Sequence, residues 1–370
     1  MRFVDEYRDP RLVQALLGAI ERACTRPWTI MEVCGGQTHA IVRSGLDELL
    51  EGRVELVHGP GCPVCVTPVE LIDRAQAIAT RAGVVLASFG DMLRVPGSRG
   101  DLLGCRARGA DVRVVYSPLD ALRIAREEPA REVVFFAVGF ETTAPATALA
   151  LQQARRLGLG NFSVLSAHVL VPPAMTALLE RPGRRVQAFL GPGHVCTIVG
   201  SGEYEPLAAR FQVPIVISGF EPVDLLEGVL RAVRQLEAGR HEVEVQYSRL
   251  VGRAGNEPAR ALLREVFRPC DRTWRGIGEI PLSGLALAPA WTAFDAARRF
   301  PPVAAAPTTA DHPACIAGQV LAGEARPSRC AACGRECTPE RPLGAPMVST
   351  EGACAAYHAS GRRALPAVST

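Results

Sequence analysis

VPIVISGFEPVDLLEGVLRAVRQLEA, residues 213–238, carries the plan of the chain in a single unit. VPIVIS is apolar almost throughout and rich in β-branched residues, which reads as a short strand. GFEP then breaks the run with glycine and proline. Through PVDLLEGVLRAVRQLEA the apolar residues return at helical spacing. A strand apolar on both faces, a loop and an amphipathic helix form the unit of a parallel sheet covered by helices.

The unit recurs. Further strands are predicted at WTIMEV (28–33), VELV (54–57), VVLAS (84–88), VRVVY (112–116), VVFFAV (133–138), FSVLSA (162–167) and VQAFL (186–190). Helical stretches follow most of them, among them PVELIDRAQAIATRAG and PLDALRIAREEPA. The expected fold is α/β, with parallel sheets of the doubly wound kind. Eight strands split into two groups of four near residue 130. The reading is an N-terminal helical segment (1–27), two similar α/β domains (28–130 and 131–235), and a third, C-terminal domain (236–370). The third begins with a candidate strand in VEVQYSRLV and a helix in EPARALLREVF. PLSGLALAP, a Pro/Ala-rich stretch at 301–310 and a cysteine-rich tail follow.

Composition excludes several classes. Hydrophobic content is 48% and charged content 21%, as in a globular protein. The net charge of +3 demands neither nucleic acid nor an anionic membrane. No apolar run approaches a membrane span. The opening MRFVDEYRDPRL lacks the apolar core of a signal peptide, so a cytoplasmic protein is expected. All 41 basic residues are arginine. The absence of lysine removes the P-loop lysine and Schiff-base chemistry, and no G-x-G-x-x-G follows the first strand.

In open α/β sheets ligands bind beyond the carboxyl ends of the strands. The unusual residues stand there: Cys34 in MEVCGGQTHA, His58 and the C-x-x-C pair Cys62/Cys65 in HGPGCPVCVTP, FGD (89–91), GFETTAP (139–145), SAHVLVPP (166–173) and GPGHVCTIVG (191–200). Twelve cysteines in a reducing compartment point to metal or redox chemistry. Cys315, Cys330, Cys337 and Cys354 are spaced C-x14-C-x6-C-x16-C, with Cys333 inside the set. Four thiolates hold a 4Fe–4S cluster or tetrahedral zinc equally well by this spacing. Cys62/Cys65, with Pro63 between them, have the form of a thiol–disulfide couple in which local geometry lowers one thiol's pKa. Cys34 precedes two glycines that permit close backbone approach, and His39 lies five residues on. His168 and His194 fit structural roles at least as well as functional ones. Glu141 reads as an acid/base or a helix cap. Cys24, Cys105, Cys196 and Cys270 read as packing residues.

Together MEVCGGQTHAI, HGPGCPVCVTP, FGDMLRVPGS, GADVRVVYSPLDAL, VGFETTAPATA, GPGHV, SGFEPVDLL and CTPERPLGAPMVSTEGACAAY resemble the HypD family of NiFe-hydrogenase maturation factors, from about residue 28 to 358. The resemblance implies two α/β domains plus a third carrying a 4Fe–4S cluster. It implies partnership with the small chaperone HypC, forming the scaffold on which a transient Fe(CN)2CO unit is assembled for the hydrogenase large subunit. Cyanide would come from HypE, with HypF upstream. By motif, Cys34 matches the iron-binding thiolate, His39 its neighbour, Cys62/Cys65 the redox pair, and Glu351 an acidic position near the cluster segment. Cys315, Cys330, Cys337 and Cys354 match the cluster ligands. Many relatives carry further cysteines where this chain has Ala317 and Pro346, and Cys333 is extra, an alternative fourth ligand. The expected role is a redox-active assembly scaffold. A cluster-fed thiol–disulfide oxidoreductase and a zinc-stapled binding protein stand as alternatives.

Overall fold

The computed structural model describes residues 5–301 and 311–361, so the Pro/Ala-rich stretch lies outside the described residues except for Pro301. All eight predicted strands form: β1 (Trp28–Glu32), β2 (Val54–His58), β3 (Val84–Ser88), β4 (Asp111–Val114), β5 (Glu132–Gly139), β6 (Phe162–His168), β7 (Ala188–Pro192) and β8 (Ile215–Ser218). The start of VEVQYSRLV adds β9 (Val243–Val245), and a hairpin follows in β10 (Phe267–Trp274) and β11 (Gly278–Leu287).

The strands build two parallel sheets flanked by helices, ordered β2-β1-β7-β8-β9 and β4-β3-β5-β6. Each sheet is apolar on both faces. Ile30, Leu56, Leu190 and Val216 pack under the helices Pro10–Ala23 and Pro222–Glu237 on one side of the larger sheet. Met31, Val57, Phe189 and Ile217 pack on the other. In the smaller sheet Phe135 and Phe136, adjacent in β5, point into opposite cores and are fully buried. Each such side chain contributes about 2 kcal/mol by burial.

Chain order does not sort the strands into sheets. The expected boundary near residue 130 falls between β4 and β5, which share the four-stranded sheet, while β1 and β2 join β7, β8 and β9. The chain therefore leaves the larger sheet after β2, builds the smaller one, and returns with β7, which pairs with β1 through Ile30↔Ala188 to Glu32↔Leu190. Strands apolar on both faces carry no period-two pattern to fix their neighbours; packing of whole faces decides. Nor does residue 236 begin a separate unit. β9 is the edge of the five-stranded sheet. The hairpin's Phe267, Leu285 and Leu287 close one core of the four-stranded sheet.

Candidate functional site

β1 ends in Glu32 and delivers Cys34 to the N-cap of the helix Gly35–Ser44, which Gly45 ends at φ 65°. Cys34 is buried at 1% exposure. Its thiol is pushed up chiefly by burial and further by the Glu32 and Glu351 charges, while the backbone N–H groups of Gln37 and Gly36 pull it down. A metal ion displaces the thiol proton that burial otherwise retains. The Cys34 Sγ lies 3.4 Å from the Nδ1 of His194, which follows β7 and packs on the Phe220 ring at 5.4 Å. Burial lowers the His194 pKa, favouring the neutral ring that a metal ligand or proton acceptor requires. Gln37 ties the site to two neighbouring strands, its Nε2 donating to Gly191 O at 3.0 Å and Ser218 Oγ at 3.0 Å.

Below Cys34 sits a buried hub. Glu32 accepts from the Cys34 backbone N–H (2.9 Å) and the Thr38 hydroxyl (2.5 Å), and pairs with His58 Nδ1 at 2.8 Å. The His58 Nε2 is 3.2 Å from the Tyr357 hydroxyl, which donates to Asp47 at 3.2 Å. This line of polar groups joins the ends of β1 and β2 to the C-terminal helix Ala353–Ala359.

The C-x-x-C loop is packed against Cys34. The Gly35 N–H donates to Gly61 O at 2.8 Å. A Cβ on Gly61 would stand 2.3 Å from the Cys34 backbone nitrogen. Cys62 caps the single turn Pro63–Val66, its sulfur accepting from the Cys65 N–H at 3.3 Å. Both thiols are buried and free. The expected lowering of a thiol pKa is not found at Cys65: burial pushes that thiol well up, and Cys62, Cys354 and Glu351 reinforce the rise. A buried thiol without a cationic neighbour loses water and gains nothing in return.

Cys354 connects this loop to the C-terminal cysteines. Cys315, Cys330, Cys333, Cys337 and Cys354 line one cavity, otherwise walled by Ile316, Leu343, Met347 and other apolar or small groups. Burial raises the Cys315, Cys337 and Cys354 thiols and pushes Cys333 up to about 11. The cavity fits a thiolate-bound soft-metal group. Its donors are all sulfur. The Leu343 N–H reaches Cys337 Sγ at 3.4 Å, a contact that tunes such a group. Gly344 leaves open a space where a Cβ would stand 2.4 Å from Cys315 Sγ. Among the described residues no three His, Cys, Asp or Glu side chains stand as a set for one metal ion.

Glu351 packs on Gly35, where a Cβ would stand 2.6 Å from the Glu351 Cβ, 2.7 Å from its carbonyl oxygen and 3.2 Å from Oε2, while the residue as a whole stays exposed. Loss of water and the Asp91 charge raise its carboxyl pKa, and His39 draws it back. His39, half-buried on the helix Gly35–Ser44, thus faces Glu351, with no contact to Cys34 among the described hydrogen bonds. His168 lies elsewhere, buried, 3.1 Å from Thr147 Oγ1 and edge-on to Phe267. Cys196 is buried beside Tyr204.

Glu141 accepts from the Val171 N–H at 3.0 Å, and its second oxygen is buried without a partner. Burial pushes its carboxyl up from 4.5 to about 7. The folded state therefore keeps a proton that the unfolded chain loses above pH 4.5. The stability from this group is full below pH 4.5 and lost as pH rises through about 7. That loss amounts to about 3 kcal/mol. Glu141→Gln keeps the acceptor and cannot ionise, so it should flatten the fall. Denaturant midpoints on either side of neutrality check this; an unchanged pH slope refutes it.

The structure sets the Cys62–Cys65 loop and Glu351 against the Cys34 turn, lines a separate cavity with the five tail cysteines, and brings His194, a residue the sequence leaves open between a structural and a functional role, to 3.4 Å from Cys34. Sequence reading missed Glu32, His58 and Tyr357 as a unit. The available signal was an acid, Glu32, ending an otherwise apolar strand, a position that burial makes expensive unless partners await it.

No helix among the described residues is long and apolar enough to cross a membrane. The HypD family model, described as "Hydrogenase formation hypA family", matches residues 11–361. The hydrogenase maturation factor HypD of Rhizobium leguminosarum bv. viciae is 49% identical, over 98% of this chain and 96% of its own length. Those of Rhodobacter capsulatus and Escherichia coli (strain K12) are each 48% identical, over 96% and 97% of this chain and 97% and 98% of their own lengths.

Proposed function

The chain belongs to the HypD family of hydrogenase maturation factors, and from that premise we propose that Cys34 holds the iron on which the Fe(CN)2CO unit is assembled. A HypC-type small chaperone shares that iron, HypE supplies cyanide from a thiocyanate made with HypF, and the finished unit passes to the NiFe-hydrogenase large subunit, all in the cytoplasm. The observation that carries this reading is the Cys34 sulfur at a helix N-terminus, 3.4 Å from a neutral-favouring His194 and abutted by a buried dithiol loop. Iron is the cargo here, and a soft thiolate suits it. His194 Nδ1, 3.4 Å from the sulfur, is placed to accept the proton that leaves Cys34 when iron binds and, with its pKa lowered by burial, to pass it on. The Gly36 and Gln37 N–H groups favour the resulting thiolate charge. Glu351 and His39 stand near each other at the rim, two groups of a kind that can move a proton.

Cys315, Cys330, Cys337 and Cys354, with Cys333 beside them, hold the resident cofactor, a 4Fe–4S cluster. Such a cluster supplies single electrons. Cys62 and Cys65 store an electron pair as a dithiol: Cys65 senses Cys354 on one side, and Gly61 touches Cys34 on the other. Release of cyanide from a thiocyanate sulfur consumes two electrons and a proton, and the dithiol holds both. The burial of Cys62 and Cys65, at 3% and 1% exposure, argues against free turnover of bulk disulfides.

Infrared and Mössbauer spectra of the anaerobically purified chain with its small partner test this. Cyanide and carbonyl stretches should appear in the wild type and vanish in Cys34→Ala, with the 4Fe–4S signal present in both. Bands that persist without Cys34 put the iron elsewhere. A colourless wild type carrying zinc removes the cluster.

A further inference from the structure

Alongside β2, the edge strand of the larger sheet, opens a cleft of about 720 Å³ that the site above does not use. One wall is the start of β2 at Arg53–Glu55; the other is the segment 323–335. That segment has two sides. Ser328, Arg329, Ala331 and Arg335 line the cleft, while Cys330, Ala332, Cys333 and Cys337 line the cysteine cavity. One thickness of backbone separates the two spaces.

The cleft is basic, and its charges are unevenly satisfied. Arg185 is taken by Glu55 at 2.5 Å, Arg53 by Glu21 at 3.1 Å, and Glu324 by Arg181 at 2.7 Å. Among the described residues Arg326, Arg329 and Arg335 form no ion pair, and the Nε–H of Arg326 is buried with no acceptor. Arg329 and Arg335 are exposed. Against these stands the carboxylate of Glu51. An unsatisfied buried guanidinium N–H costs free energy until an anionic acceptor reaches it. The remaining arginines attract negative charge over a broad rim.

We propose that this cleft docks an acidic one-electron carrier protein, and that Ser328–Arg335 seats it against the cofactor held by the tail cysteines. The proposal rests on the cluster reading above. In each encounter the carrier is oxidised by one electron and the thiolate-held cofactor is reduced by one; no bond forms or breaks at the docking surface. A compact polyanion fits less well. The free arginines are spread along the wall, with the carboxylates of Glu51, Glu55 and Glu324 interleaved among them. A carboxylate-ringed protein surface meets such an array. Redox partners of this kind use small, charge-steered interfaces that release quickly.

The test uses the full chain, purified anaerobically, with an acidic plant-type 2Fe–2S ferredoxin as probe. Binding is read by interferometry at low and high salt, and reduction by stopped-flow absorbance. The wild type should bind, more weakly as salt rises. Arg329→Glu/Arg335→Glu should bind about tenfold more weakly or worse, with its metal content and infrared bands unchanged. Equal binding by that variant overturns the proposal. So does a wild type that carries the cluster and binds no ferredoxin, or a cleft that takes inorganic phosphate or ATP in its place. A wild type without a 4Fe–4S signal fails the cluster reading instead, whatever its affinity for ferredoxin, and removes the electron-transfer half of the proposal.

Discussion

Gly61→Ala should destabilise the protein by about 3 kcal/mol and lower iron loading about a hundredfold. The added methyl would stand 2.3 Å from the Cys34 nitrogen, 2.5 Å from its Cα and 2.6 Å from the Val33 carbonyl carbon. All three are backbone atoms at the end of a central strand, so no rotamer change relieves the clash. Either the Cys62–Cys65 loop or the N-terminus of the helix Gly35–Ser44 must move. The Gly35 N–H bond to Gly61 O, 2.8 Å long, stretches in both cases. Displacing a reacting atom by an ångström typically costs two orders of magnitude in rate. Thermal unfolding, cluster content and the infrared bands of the variant separate the effects. Under the proposed assignment the 4Fe–4S signal should survive, because the tail cysteines line a separate cavity. A variant with wild-type stability and full iron loading removes the close-packing account of this loop.

Glu32→Ala should cost about 4 kcal/mol, the range for breaking a buried charged network by removing one member. Glu32 is fully buried, and three groups converge on it: the Cys34 N–H, the Thr38 hydroxyl and His58. Without the carboxylate the Cys34 N–H and the His58 Nδ1 lose their buried partner, and the Thr38 hydroxyl keeps only the longer bond to the Cys34 carbonyl at 3.3 Å. His58 also loses the partner that orients it toward Tyr357, so the C-terminal helix loosens together with the Cys34 turn. The expected signature is a joint loss: lower unfolding temperature, weaker iron loading, and faster proteolysis after residue 350. Glu32→Gln retains one acceptor oxygen and should recover part of the stability. If Glu32→Ala unfolds like the wild type, the hub is not structural.

Much of the architecture was legible in the chain. Every predicted strand forms, because a four- to six-residue largely apolar run, most of them next to a Gly, Pro or Asp, has few other uses. Cys34, the C-x-x-C loop and GPGHV could be assigned to strand carboxyl ends, and the structure places all three at the carboxyl ends of the adjacent strands β2, β1 and β7 of the larger sheet. Partition between sheets was not legible. VVLAS and VPIVIS are interchangeable as strands, and only the faces of the helices and strands around them decide which sheet each enters. His194 was not legible either. A histidine in a loop says nothing of its partner, and its partner here is 160 positions away.

The sequence by itself determined the α/β class, the clustering of sulfur and the family, since these depend on residue type and local spacing. Tertiary structure decided that β7 returns to β1, that Glu32 serves Cys34, Thr38 and His58 at once, and that one segment turns cysteines inward and arginines outward. Those depend on distances between residues far apart in the chain, and such distances are set by the burial of whole surfaces rather than by local preference.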